Sequence, residues 1–437
     1  MKTAIRKAAA LLLSAAILFT FCGCDFFALD TADLLNPPEP SGDISKILAS
    51  LNKSVTGEYD LVYPNSGEYR SPIIEEDIDG DGLFESIAFY SLKNEERPTV
   101  HMNIIVKNDG KWISVDDIGI EAGGVESVEF CDLDGNGKNE ILVGWEIYTA
   151  SERQLAVYSF DNNSLLQLML QRYTSFLCCD IDENGMQEIF LQDLNTTDGT
   201  NRAMLSSIDK NGVLQMGGCT LDSTVKSAYA PTVSKLASGQ PAIYIDEVKG
   251  VGAITEVLYF ESGELINGLL DTSEEPFINK QTLRASSVMC RDADGDGVPE
   301  IPIEADVPNA DSASNEKITY VNWCVYTGTE LQTVSTSIIN TVDGYMIDVP
   351  NKWKSRIAIL KDTEKHQRTV YAFNPKTQTI GEKIITFKAI GISEFKSDSP
   401  YLELMRTPES VICAVETDYR GELKLTKEEL TGMVKPF

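Results

Sequence analysis

Four short stretches hold the residues best suited to chemistry: DIDGDGLFE at 77–85, DLDGNGKNE at 132–140, DIDENGMQE at 180–188 and DADGDGVPE at 292–300. Each places oxygen-bearing side chains at positions one, three and five, a Gly at six and a Glu at nine. A hard divalent cation such as Ca²⁺ needs several oxygen ligands around one point, and a Gly lets the backbone turn sharply beneath it. The side-chain ligands expected are Asp77, Asp79, Asp81 and Glu85; Asp132, Asp134, Asn136 and Glu140; Asp180, Asp182, Asn184 and Glu188; and Asp292, Asp294, Asp296 and Glu300. The backbone carbonyls of Leu83, Lys138, Met186 and Val298 would complete them from position seven. Asp, Asn and Gly also make tight turns without any metal, so one copy would prove little. Four copies with the same acid spacing point to structural calcium. Neutral Asn136 and Asn184 at position five, and Glu183 in place of a Gly at position four, predict weaker binding in the second and third loops.

These loops are shorter than an EF-hand loop, whose Glu waits until position twelve, and their flanks read as strands. Ile73 and Ile74 precede the first; Ile87, Ala88, Phe89 and Tyr90 follow it. A calcium loop between two strands, repeated along the chain, resembles the FG-GAP/VCBS repeats of calcium-binding β-propellers, over roughly residues 70–340. Position nine is Glu throughout, where that family commonly has Asp.

Loops begin at 77, 132, 180 and 292, and the last step is about two units long, which predicts a degenerate copy near 235, at KLASGQPAIYI. Strand–turn–strand tips at Gly110, Asn163, Gly212, Gly263 and Gly328 follow the five starts at similar offsets. The fold expected is mainly β: a five-bladed β-propeller over 42–340, then a small α+β domain with an antiparallel sheet over 341–437. Pairing the orphan strand RSPIIEE, before the first loop, with residues 330–339 would close the ring and remove two exposed edges. Helices are expected at 43–52, where Ile44, Ile47, Leu48 and Leu51 share a face, at SPYLELMRT, and at TKEELTGMV behind a Thr426/Glu429 capping box.

The formal net charge of −30 argues against nucleic acid as a partner, because such a surface repels phosphates. Lys2, Arg6 and Lys7 precede an apolar run from Ala8 to Phe21, which fits a signal-peptide core and is short for a membrane span. The run ends in FCGC at 21–24, which resembles a bacterial lipobox. Phe21 is bulky before Cys22, so residues 1–23 are expected to be the signal peptide and Cys24 the lipidated (palmitate-type) residue. Residues 24–41, with Pro37, Pro38 and Pro40, then read as a tether. The order of lipobox, Pro-rich tether, acidic repeats and C-terminal region resembles uncharacterised lipoproteins of Gram-positive bacteria, and implies a protein held on the outer face of the cytoplasmic membrane. Seven cysteines remain after Cys24, an odd number that argues against a disulfide framework. Cys131, Cys178, Cys179 and Cys290 stand just before loops and read as small buried hydrophobes.

His101 and His366 are the only histidines, which excludes a His-rich metal centre, and no GxSxG, Gly-rich phosphate loop, HExxH or CxxC is present. No catalytic residue or organic cofactor is assigned. The expectation is a non-enzymatic binding or scaffold module for a protein or glycan; the alternative is an extracellular polysaccharide hydrolase or lyase.

Overall fold

The computed structural model describes residues 42–147, 153–194, 200–209, 212–273, 275–311, 316–396 and 400–437. The signal peptide, Cys24 and the tether lie outside them. The chain is mainly β, arranged as six antiparallel sheets that follow one another in sequence.

Helix α1 (Gly42–Ser54) comes first. Sheet one has β1 (Tyr59–Leu61) and β2 (Ile73–Glu76) end to end on one edge of β3 (Glu85–Leu92), then β4 (Val100–Asn108) and β5 (Lys111–Ile120). Sheet two is β6 (Gly124–Cys131), β7 (Glu140–Glu146), β8 (Arg153–Asp161) and β9 (Ser164–Tyr173). Sheet three is β10 (Ser175–Cys179), β11 (Glu188–Asp193), β12 (Arg202–Asp209) and β13 (Gly212–Thr220). Sheet four has β14 (Ser227–Ala228) and β15 (Thr232–Lys235) sharing an edge of β16 (Pro241–Lys249), followed by β17 (Gly252–Glu261) and β18 (Glu264–Asn267). Sheet five is β19 (Ile301–Val307), β20 (Ile318–Tyr326), β21 (Leu331–Asn340) and β22 (Tyr345–Asp348), with β28 (Val434–Pro436) added at its far edge. Sheet six runs β23 (Ile357–Asp362), β24 (Gln367–Asn374), β25 (Thr379–Gly391), β27 (Ser410–Glu416), β26 (Leu402–Arg406), and the short α2 (Lys427–Thr431) precedes β28.

The strands after the first three loops are covered on both faces, unlike β19 after the fourth. β3, β7 and β11 are buried almost end to end, the pattern of a strand sandwiched between layers. Successive sheets share cores: Phe89 of sheet one meets Trp145 of sheet two edge-to-face at 6.0 Å, a pairing worth about 0.5–1.5 kcal/mol beyond the area it buries. Leu142 and Leu191 share the next core, Phe190 and Ile243 the third, Tyr244 and Ile301 the fourth. The five hairpins expected from their tips form in register, from Asn108↔Lys111 to Tyr326↔Leu331. The degenerate copy is a plain turn, in which Lys235 pairs with Pro241 across residues 236–240.

The ring does not close as expected. β2 bonds to its own sheet at Ile74↔Ile87, while β21 lies between β20 and β22. The face of sheet one that a closing sheet would have to cover carries Ala88, Tyr90, Ile105 and Trp112, and these pack under Ile47 and Leu51 of α1. At the other end, Val321, Trp323 and Met346 of sheet five are covered from Val288 and Phe437, with the Arg291 guanidinium 5.2 Å from the Trp323 ring and 4.7 Å from that of Phe437. The result is an open row with both end faces capped, which a repeat array needs to stay soluble.

Position 341 begins the turn of the β21–β22 hairpin, so sheet five takes strands from both sides of the expected domain boundary. Its core is likewise shared: Val307, Tyr320 and Ile338 pack with Trp353, Phe387 and Leu430. The helix expected at SPYLELMRT is instead β26, because the open edge of β27 offers a ladder at Leu402↔Ala414 that overrides local helix propensity. The capping box of α2 is present, with Glu429 N–H donating to Thr426 Oγ1 at 3.2 Å and Thr426 N–H to Glu429 Oε2 at 2.7 Å.

Candidate metal centre

The first three acidic loops each join two adjacent antiparallel strands, closed at Glu76↔Glu85, Cys131↔Glu140 and Cys179↔Glu188, and the fourth is closed by the isolated bridge Arg291↔Glu300 just before β19. The position-nine Glu is therefore the first residue back in the sheet, and its side chain reaches under the loop.

The first Asp of each loop organises the turn. Asp77 Oδ2 accepts from Gly82 N–H at 3.0 Å, and Asp132, Asp180 and Asp292 accept in the same way from Gly137, Gly185 and Gly297 at 2.9–3.0 Å. The fifth residue accepts from the seventh at 2.7 Å in all four: Leu83 N–H to Asp81, Lys138 to Asn136, Met186 to Asn184 and Val298 to Asp296. The ninth accepts from the second: Ile78 N–H to Glu85, Leu133 to Glu140, Ile181 to Glu188 and Ala293 to Glu300, at 2.6–3.1 Å.

These bonds bring the carboxylates together. Ligand atoms of Asp77, Asp79 and Glu85 lie within 4.8 Å of one another, as do those of Asp132, Asp134 and Glu140, of Asp180, Asp182 and Glu188, and of Asp292, Asp294, Asp296 and Glu300. Asp81 stands outside the first group, so the fourth loop alone assembles four carboxylates although the first loop carries acids at the same four positions.

The donor set fits a hard cation. Glu188 and Glu300 each use Oε2 for the backbone bond, while Oε1 is buried with no hydrogen-bond partner. An unpartnered buried carboxylate oxygen costs several kcal/mol of lost hydration unless a cation or proton meets it. Burial, reinforced by the neighbouring Asp charges, pushes Glu85, Glu140 and Glu300 up to about 7 and raises Glu188 as well. A bound divalent ion would reverse that penalty.

Three of the loops lean on one another. Gly80 lies against the carbonyl of Gly137, Asn139 donates to the Asp77 carbonyl at 3.3 Å, and Gly135 lies against Met186. Beside the second loop, Asp134, Asn136 and Glu140 line a cleft of about 480 Å³, completed by Asp161, Leu166 and Asp209. Leu83 and Phe84 at the first loop are more than half exposed.

The described cysteines carry no disulfide; Cys131, Cys178, Cys179 and Cys290 sit in or against the inter-sheet cores. His101 lies on sheet one, stacked on Tyr90, with Nδ1 2.9 Å from Asp117 and Nε2 3.1 Å from Glu95. Burial opposes its ionisation, but the two carboxylates outweigh burial and raise its pKa.

Sequence reading missed a buried polar network between sheets three and four. Gln192 donates to Glu247 at 2.7 Å, Asp222 N–H and Asn267 donate to Glu256 at 2.8 and 3.0 Å, and Lys249 pairs with Asp222. Beside it, the fully buried Arg284 donates to Asp246 at 2.7 Å. The only signal was the interruption of apolar runs by Asp246, Glu247 and Glu256.

No family model matches the chain, and no curated protein matches it. Among solved structures, the chain is similar to a Bacillus licheniformis rhamnogalacturonan lyase (13% identity, TM-score 0.31, 64% of each chain) and to the exotype rhamnogalacturonan lyase YesX (11%, TM-score 0.34, 74% of this chain and 56% of that one). The match thus spans less than two thirds of either lyase. A periplasmic gluconolactonase of Pseudomonas aeruginosa is similar at 11% identity and TM-score 0.29, over 74% of this chain and 86% of that one.

Proposed function

We propose that this protein is an extracytoplasmic lipoprotein, anchored through Cys24 to the outer face of the cytoplasmic membrane, whose calcium-stabilised row of sheets serves as a binding or scaffold module for a protein or glycan. The observation that carries the calcium reading is the fourfold repetition of one device: a buried Glu that spends one oxygen on the loop backbone and leaves the other toward a cluster of Asp carboxylates. All-oxygen donors that mix carboxylates with amide and backbone carbonyls suit Ca²⁺ better than softer transition metals. The carbonyls of Leu83, Lys138, Met186 and Val298 would add to the side-chain ligands.

The metal's role is structural, because every cluster closes a turn between antiparallel-paired backbone segments, three of them between adjacent strands of one sheet. The binding role draws on the surface around the loops, where exposed Leu83 and Phe84 flank the first cluster and a polar cleft adjoins the second. Crosslinking and affinity capture of the mature protein from its own cells, with calcium and with chelator, test it. A specific partner that is retained with calcium and lost with chelator or in Phe84→Ser supports the reading; a capture profile equal to that of an unrelated lipoprotein refutes it. For the anchor, Cys24→Ala should abolish labelling by a fatty-acid probe.

A further inference from the structure

A second cleft, about 580 Å³, opens where sheets five and six meet. That volume lies within the range of small-molecule sites, which is about 300–1,000 Å³. Three turns surround it: Thr341–Gly344 between β21 and β22, the turn ending at His366 between β23 and β24, and Thr407–Ser410 between β26 and β27.

His366 is held there by a chain of bonds that begins in the core. Arg368, almost fully buried, donates to Asn340 Oδ1 at 3.3 Å; the buried Asn340 Nδ2 donates to Asp343 Oδ2 at 2.7 Å; and Asp343 Oδ1 stands 2.6 Å from His366 Nδ1. The carboxylate fixes the proton on Nδ1, which makes Nε2 the nitrogen the ring offers to a ligand. The backbone at His366 is left-handed, with φ of 53°, a conformation that costs a non-glycine residue about 1–2 kcal/mol. Its carbonyl accepts from Ala389 N–H at 3.0 Å, which locks the turn onto β25. A buried Arg and Asn are thus committed to orienting one half-exposed imidazole at a cleft wall, an arrangement typical of sites and costly as mere packing.

We propose that this cleft is a binding site for a small uncharged polyhydroxylated ligand, such as a terminal sugar residue, with His366 Nε2 accepting one of its hydroxyls. The lining gives the class of ligand. It includes Asp343 and Glu409 but no Lys or Arg, so an anion is repelled. Glu409 and the Thr341 hydroxyl supply further polar partners, and Val342 and Pro408 offer apolar surface for the C–H face of a sugar ring.

The test is saturation-transfer NMR on the mature chain with the methyl glycosides of glucose, galactose, mannose, rhamnose and N-acetylglucosamine. Saturation transfer to at least one glycoside is expected. It should weaken by about tenfold in affinity, roughly one hydrogen bond to a ligand, in His366→Asn. Asn tolerates the left-handed backbone, so that variant should melt like the parent. Glu409→Ala, in the β26–β27 turn that also lines the cleft, should weaken the same glycoside, while Lys53→Ala, on α1, should not. No transfer to any of the five glycosides, or transfer unchanged in both His366→Asn and Glu409→Ala, overturns the proposal.

Discussion

Gly80, the fourth residue of the first loop, lies so close to the carbonyl oxygen of Gly137, the sixth residue of the second, that a Cβ on Gly80 would overlap it. The loops are therefore coupled by packing as well as by repetition. Gly80 needs glycine twice over, for its φ of 73° and for this contact, whereas Gly295 in the fourth loop needs it only for its φ of 88°, with open space around it. The contact also explains Glu183 at this position in the third loop. Its φ is 60°, but the next sheet carries only the short turn at 236–240, with no acidic loop to press against. Gly295→Ala should cost about 1–2 kcal/mol for the left-handed backbone. Gly80→Ala should cost clearly more and should weaken metal binding in the second loop too. Denaturant titration combined with calorimetry measures both, and equal costs would show that the loops are independent.

The fourth loop should bind calcium most tightly. It alone gathers four carboxylates, and ligand charge is a main determinant of affinity in such sites. Single substitutions Asp79→Ala, Asp134→Ala, Asp182→Ala and Asp294→Ala, each followed by calorimetric titration, should remove the tightest component only in Asp294→Ala. Loss of that component in Asp79→Ala instead would mean that Asp81 swings into the first cluster when metal arrives.

How much of this was legible follows from what each residue pattern constrains. The loop spacing and the hairpin tips are local: Asp109–Gly110 and Asn162–Asn163 take the left-handed backbone their turns require, and the pairs that close them, Asn108↔Lys111 and Asp161↔Ser164, are three residues apart. Ring closure is not local. The stripe of Ile47 and Leu51 on α1 can cover any apolar sheet face, and nothing in the sequence says that it covers Tyr90 and Trp112 and so occupies the place of a closing sheet. The Glu clusters show the same division. Glu85 and Glu300 announce themselves by distance from the first Asp, whereas Glu247 and Glu256 read as solvent-facing strand residues until sheet three is laid over them.

Glu247 and Glu256 supply the pH prediction. Both are fully buried, and after the bonds from Gln192, Asp222 N–H and Asn267 each keeps an Oε2 with no other donor. Burial and the adjacent carboxylate raise Glu247 well above the ordinary range, so the pair holds a proton in the fold that it loses on unfolding. Because the folded pKa lies above the unfolded one, this contribution to stability is full at pH below the unfolded value and is lost as pH rises through the folded one, at up to about 1.4 kcal/mol per pH unit for one proton. Glu247→Gln keeps a donor and removes the titration. Its stability relative to the parent should therefore increase from pH 5 to pH 8, with Asp222 and Lys249 unchanged in both. A difference that does not vary with pH would show that the pair holds no shared proton.

The last prediction concerns the whole row. Extracellular calcium modules bind with dissociation constants of about 0.1–1 mM, against roughly 1 mM free calcium outside a cell. Mass action then gives about 0.4–1.4 kcal/mol per site, or on the order of 2–6 kcal/mol for four, against a net stability of about 5–15 kcal/mol for many domains. Chelation should lower the melting temperature by several degrees. The effect should also reach the C-terminal sheet, even though residues 341–437 contain no acidic loop. β22 and β28 extend sheet five, and Val307, Tyr320 and Ile338 share a core with Phe387 and Leu430, so loosening the fourth loop at the entry to β19 loosens both. Hydrogen exchange should show β22 and β28 losing protection together with β19 on chelation and in Asp294→Ala. Loss confined to sheets one to four would separate the C-terminal sheet from the metal. Identical melting with calcium and with excess chelator would leave the four loops as bare turns.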